Sequence, residues 1–119
     1  MNYLFLAYAD EQRGAMTSAS EQEAFDVASR ASQEELRLSG YLQAAADLQK
    51  SSTATTIRMQ KGELVLTEEV VGVRNEQLVG LMLIHARDLN EAVRLAVKMP
   101  QAQRGFIEVW PVMESDSVE

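Results

Sequence analysis

The chain has 119 residues, of which 46% are hydrophobic and 24% are charged, and its formal net charge is −7. Its length and composition are typical of one globular domain. The negative charge argues against nucleic-acid and anionic-membrane partners, because both require basic side chains facing phosphate groups. The lack of cysteine excludes disulfides, thiolate metal sites and cysteine nucleophiles.

The N-terminal segment predicts a buried strand. Residues 2–8 are apolar on both faces, which is typical of a central strand covered on two sides. The run has no basic leader and ends at Asp10, so it is too short for a signal peptide or a membrane span. We therefore expect a cytoplasmic protein, with a polar loop from Asp10 to Thr17.

The first helix is predicted to begin at Ser18 or Ser20, since each serine is followed three residues later by a glutamate that completes a capping box. Gly40 is placed to end the helix in a left-handed cap. Apolar and small residues at helical spacing predict the face that packs on a sheet. They are Ala24, Phe25, Val27, Ala28, Ala31, Leu36 and Leu38.

The middle of the chain predicts a hairpin. Residues 41–48 fit a short strand or a helical turn. Residues 53–59 and 63–69 then flank a turn that contains Gly62. Both arms are less apolar than the first strand, so we expect the hairpin at an edge of the sheet or over one face.

The second half repeats the strand–helix–strand pattern. Residues 78–84 predict a second buried strand, and a helix is expected from its Asp88 cap to Lys98, with Pro100 as its stop. A last strand is predicted over 105–112, near an edge because it contains Pro111. We expect residues 1–113 to form the single domain and residues 114–119 to form a flexible acidic tail.

This order predicts an α+β fold, a ferredoxin-like βαββαβ sheet with an extra hairpin. Two helices would cover one face of the sheet. The other face is also apolar, which favours a homodimer through sheet-to-sheet packing.

Five short segments, in this order, resemble the YCII-related proteins, and in particular the branch named for its Asp-Gly-Pro-Phe motif. They are Tyr3–Glu11, Ser52–Arg58, Glu76–Leu78, Asp88–Ala92 and Ile107–Val112. The resemblance covers nearly the whole chain and implies a fold of the dimeric α+β barrel type. It also implies a cleft in which some relatives use a histidine–aspartate pair, and a link to small aromatic chemistry. The branch is associated with sigma factors of the extracytoplasmic-function type, which implies a sigma-factor-type protein partner.

The chain departs from that branch at its signature. Glu68-Glu69-Val70-Val71 stands where Asp-Gly-Pro-Phe is expected, so an acid remains but the turn-forming Gly-Pro is missing. The first helix contains no histidine, so the histidine of the pair has no counterpart.

The candidate ligand-binding residues are Tyr8, Asp10, Arg58, Glu68 and His85. Tyr8 and Asp10 leave the first strand on the same side, and Arg58 could lie over that end. Arg58 would then bind a carboxylate or phenolate ligand. The alternative is that this polar cluster is only an ion pair that closes the barrel mouth. Glu68 would face a pocket or end a solvated strand. His85 would act as an acid or base beside Asp88, or only satisfy backbone groups at a strand end. The catalytic residues stay unknown, and we expect neither a metal nor a cofactor.

Three functions remain open, of which the last is a purely structural subunit that forms larger rings. In the first, the chain is a non-catalytic or weakly catalytic homodimer that binds a small molecule or a protein partner, in a setting near transcriptional regulation. In the second, it is a small cofactor-free enzyme, lyase- or hydrolase-like, acting on an aromatic or hydroxylated substrate in the barrel cleft.

Overall fold

A computed structural model of the chain describes residues 1–10, 17–68 and 76–114. Most of the predicted 10–17 loop, the Glu69–Val71 part of the altered signature and nearly all of the predicted acidic tail lie outside these residues. The helices and strands follow in the expected order. They are β1 (Asn2–Ala9), α1 (Ala19–Leu38), β2 (Leu42–Asp47), β3 (Thr56–Gln60), β4 (Glu63–Thr67), β5 (Gln77–His85), α2 (Leu89–Val97), α3 (Pro100–Arg104) and β6 (Phe106–Pro111).

Four of the strands form one antiparallel sheet in the order β2-β5-β1-β6. The two apolar strands, β1 and β5, are central, and the proline-containing β6 is at an edge, as predicted. With its helices, this is a ferredoxin-like α+β arrangement, so the predicted fold class is confirmed. None of the described helices has the length and apolar character needed to cross a membrane.

Local side-chain chemistry sets the limits of α1. The Ser18 hydroxyl accepts a hydrogen bond from the Glu21 backbone N–H, so the helix begins from the first of the two predicted caps. At the other end, Gly40 has a φ of 84°. Its N–H donates to the Arg37 carbonyl while the next N–H donates to Leu36, which is the left-handed closure that the glycine predicted.

The predicted packing face of α1 is largely wrong. Its alanines are exposed, and Leu38 is 78% exposed. Of the predicted residues only Leu36 is buried and Phe25 is half-buried, and the unpredicted Ser29 is buried beside them. Exposed alanines cost little because each holds only one methyl group, and the inward face is polar because it borders the cavity described below.

The core lies between the helices and one face of the sheet. Tyr3, Phe5, Met82 and Ile84 of the central strands pack there with residues of α1 and α2 and with Met99. On the other face of β1, Leu4, Leu6 and Tyr8 are only half-buried, so the strand is fully covered on one side and not on two. No described helix lies over this second, open face.

The hairpin stands apart from the main sheet. β3 and β4 pair only with each other, in register from Thr56–Thr67 to Gln60–Glu63. Lys61 and Gly62 both have positive φ, 51° and 79°. These values define the two-residue turn whose twist matches that of the strands. The first arm begins at Thr56 and not at residue 53, because Ser51–Thr53 form a 3₁₀ turn.

Candidate functional site

A cavity of about 310 Å³ lies between α1 and the end of the sheet where β1 finishes and β5 begins. This volume is at the lower end of the range of small-molecule sites. Its lining combines apolar and polar side chains with the backbone of both central strands. The polar lining residues are Tyr8, Asp10, Gln22, Asp26, Ser29, Gln33, Asp47, Gln101 and Arg104.

Backbone geometry brings three elements to this cavity. The β1–β5 register shifts between Ala7 and Tyr8, which separates the strand ends there. Gly105 then lets the α3–β6 junction approach β1 closely, since a Cβ on Gly105 would lie 1.8 Å from the Tyr8 carbonyl oxygen. This close approach places Arg104, the residue before the glycine, at the cavity wall.

Arg104 is joined to α1 by a short chain of hydrogen bonds. Its Nη2 donates to Gln22 Oε1 at 2.6 Å, and Gln22 Nε2 donates to Asp26 Oδ1 at 2.9 Å. The guanidinium carbon also lies 4.2 Å from the centre of the Phe25 ring. The Gln22 side-chain amide thus lies between the Arg104 cation and the Asp26 anion. Its oxygen accepts from the first and its nitrogen donates to the second, so the two bonds together fix the orientation of the amide.

Ser29 is the buried polar residue of this wall. It is 9% exposed, and its Oγ has no hydrogen-bond partner. A buried hydroxyl without a partner is unfavourable, so such groups are uncommon away from functional sites. Its position one helical turn from Asp26 makes it part of the same polar surface of α1.

Tyr8 and Asp10 lie in this cavity wall, as a pair of neighbouring residues leaving β1. Both are half-buried. The Tyr8 ring stacks on Phe106 of β6, with ring centres 4.8 Å apart and an interplanar angle of 12°. Since Tyr8 alternates with the buried Ala7 and shares its face with Phe106, this ring pair lies on the open face of the sheet.

The other three candidates lie elsewhere. Arg58 is exposed on β3, across from Val65, and Glu68 is exposed directly after β4. His85 ends β5, beyond the part of the strand that lines the cavity, and its Nδ1 lies 3.0 Å from Asn2 Oδ1. The structure therefore brings Tyr8 and Asp10 together with Arg104 and not with Arg58.

Sequence reasoning missed the contribution of α1 and of Arg104. The signal on α1 was present: Gln22, Asp26, Ser29 and Gln33 recur every three or four residues, which places polar groups on one side of a helix. The apolar positions between them predict a different side of the helix as the one that faces the sheet. Nothing local marks Arg104, because its partner Gln22 is 82 residues away in the chain.

The clearest pKa shifts belong to two charged side chains that lie outside the cavity. The Asp88 carboxylate accepts from the Glu91 backbone N–H at 2.9 Å, and this bond lowers the pKa of Asp88 below its ordinary value of 3.8. The hydrogen bond from Arg87 to Asp88 raises the pKa of Arg87. Both residues stand at the start of α2. In the described part of the chain, no three His, Asp or Glu side chains are grouped closely enough to hold a metal ion.

The sheet, its two covering helices and the polar cavity define a ferredoxin-like α+β protein with a site under its first helix. The family model of the YCII-related domain matches residues 1–116, and the chain therefore belongs to the YCII-related family. No curated protein matches the chain.

Proposed function

We propose that the protein is a homodimer that binds a small organic molecule in the cavity under α1. The observation that carries this proposal is the cavity itself, which joins a fixed cation, an aromatic ring and several hydrogen-bonding groups in about 310 Å³. A largely apolar pocket with a few converging polar groups is the usual form of a small-molecule site.

The composition of the wall favours a hydroxylated ligand with an apolar part. Asp10, Asp26 and Asp47 offer acceptors, and Arg104 offers donors beside the flat Phe25 ring. Ala7 and Met82, which point to the core side of the sheet, supply the apolar side. A planar, hydroxyl-bearing molecule would use all three kinds of contact.

The open face of the sheet supports the homodimer. Leu4 pairs with Leu83 on one side and with Trp110 on the other, and Leu6 pairs with Leu81. Trp110 is 54% exposed. A contiguous apolar surface of this kind marks an interaction site, and a second copy of the same sheet would cover it symmetrically.

Native mass spectrometry of the purified protein tests both parts. We expect a dimer that carries a reproducible additional mass, which is lost from Arg104→Ala because the fixed donors are removed. Arg94→Ala is the control, since Arg94 is an exposed arginine of α2 outside the cavity. Thermal melts of both variants check that each one folds.

A monomer would contradict the dimer. A dimer without any additional mass, or one whose additional mass survives Arg104→Ala, would contradict the ligand site. Once the molecule is identified, incubation with the protein separates binding from catalysis. Conversion by the natural protein but not by Asp10→Asn would assign an enzyme in place of a binding protein.

A further inference from the structure

The β3–β4 hairpin has one wholly apolar face, and no described residue outside the hairpin packs against that face. Paired residues of an antiparallel ladder share a face, so the Ile57–Leu66 and Met59–Leu64 pairs lie on the same side. These four side chains are 58–66% exposed. The opposite side carries Arg58 with Val65 and the polar end pairs. We call Thr56–Thr67 the arm and the side with Ile57 its apolar face.

The arm is a defined element and not an irregular loop. Its turn has the two positive φ values that such a ladder needs, and five residue pairs are in register. An isolated two-stranded hairpin is at best marginally stable in water, and becomes stable when its apolar face packs on another surface. A partner surface is therefore required, and the described part of the arm's own chain leaves this face exposed.

We propose that each arm packs its apolar face on the open sheet face of a second copy of this chain. The inference rests on the proposed homodimer and adds that the arms, and not the sheets alone, hold it together. The same chain carries both uncovered apolar surfaces, so a twofold axis covers both arms and both sheets at once.

The area and the charge of the arm fit this partner. Taking roughly 100 Å² for each apolar side chain, two arms and the surfaces beneath them bury on the order of 1,600 Å², the size of a standard interface. Arg58 and Lys61 against Glu63 give the arm a charge of +1, and since the whole chain carries −7, the remainder carries −8. A positive arm on a negative body suits exchange between copies.

The end of β2, eight residues before the arm, borders the proposed ligand site. The Leu48 N–H donates to the Val79 carbonyl at 2.9 Å, and both Val79 and Asp47 line the cavity.

A pair of matched substitutions on β4 tests the proposal. Leu66→Thr and Val65→Thr change neighbouring residues on opposite faces of the arm to the same side chain. Sedimentation velocity over a concentration series should give a dimer dissociation constant raised at least tenfold by Ile57→Thr/Leu66→Thr, with a clear increase for Leu66→Thr alone. Val65→Thr should change it by less than twofold. Circular dichroism melts establish that the main sheet of each variant is intact.

Trp110, the only tryptophan, gives a second measurement on the open face. Its emission should shift to longer wavelength on dilution of the natural protein, and should already be shifted in Ile57→Thr/Leu66→Thr. A dimer whose dissociation constant and tryptophan emission do not change in that variant would overturn the arm exchange and leave the homodimer standing. A natural protein that is monomeric throughout would overturn the homodimer and the exchange with it.

Discussion

Gly105 is where a single residue has the largest effect on the site. A side chain there would meet the Tyr8 carbonyl oxygen at 1.8 Å, whereas one on Gly80 would stand 3.3 Å from the Ala46 carbonyl oxygen. The first distance is impossible without moving β1 or β6, and the second requires an adjustment of a few tenths of an ångström. The glycine therefore fixes how closely α3 and its Arg104 approach β1.

We expect Gly105→Ala to lower the free energy of unfolding by about 3 kcal/mol or more, because the added methyl group overlaps backbone atoms. Gly80→Ala serves as the matched control and should cost roughly 1 kcal/mol or less. Urea unfolding followed by circular dichroism measures both. Equal losses for the two variants would show that the close approach at Gly105 is not required for folding.

The carboxylate of Asp88 makes the stability of the fold depend on pH. Its pKa is lowered in the folded chain, first by the Glu91 N–H and also by Arg87. A carboxylate with a lowered pKa stabilises the fold above its unfolded pKa, and this contribution disappears as the pH falls through the folded value. The affected window therefore begins near pH 4 and extends downwards.

Asp88→Asn should keep the cap, because asparagine is also a good capping residue, but it removes the titrating charge. We expect the melting temperature of the natural protein to fall more between pH 7 and pH 3 than that of Asp88→Asn. Thermal melts of both proteins at the two pH values provide the comparison. A fall of the same size in both would rule out this contribution.

At the scale of the element, short-range chemistry decides where helices and turns begin and end. The Ser18 cap, the Gly40 closure and the Asp88 cap each depend on residues within a few positions of one another. The sequence predicts Pro100 only as the stop of the second helix. It also opens the short α3, where it occupies the first helical position and its missing N–H costs nothing.

The start of α1 gives a direct test of this scale. Ser18→Ala should lower the free energy of unfolding by about 1 kcal/mol, because the Glu21 N–H loses its acceptor. Ser20→Ala lies inside the first turn and should change it by less than roughly 0.5 kcal/mol. Chemical unfolding of the two variants distinguishes them. A larger loss for Ser20→Ala would place the cap at the second serine.

The whole molecule has two layers, helices and sheet, and one face of the sheet is left open by the described helices. Leu83 lies in the middle of that face, paired with Leu4 and Ala44. Val27, by contrast, is 53% exposed on α1 and lies outside the core. A substitution at Leu83 therefore tests the open face, and the same substitution at Val27 is the control for an exposed apolar residue elsewhere on the surface.

Leu83→Asp should convert the proposed dimer to monomer, since a carboxylate in the middle of an apolar interface would be buried without a partner. Val27→Asp should leave the oligomer unchanged. Size-exclusion chromatography with light scattering reports the mass, and circular dichroism confirms that Leu83→Asp is folded. A folded Leu83→Asp that remains dimeric would exclude the open face as the interface.

The sequence by itself determined the features whose causes are local or periodic. The capping serine and aspartate, the glycine-containing turn of the hairpin, the two apolar strands and their order were readable because each depends on neighbouring residues or on a repeated spacing. Those features suffice for the ferredoxin-like fold class and for the position of β6 at an edge.

Only the tertiary structure decided which side of α1 faces inward and which arginine lines the same cavity as Tyr8 and Asp10. An alanine stripe and a polar stripe on one helix differ too little in burial energy for periodicity to choose between them. The meeting of Gln22 with Arg104, and the separation of Arg58 on an independent hairpin, depend on contacts between distant segments. Such contacts are set by the packing of the whole chain, and no local pattern encodes them.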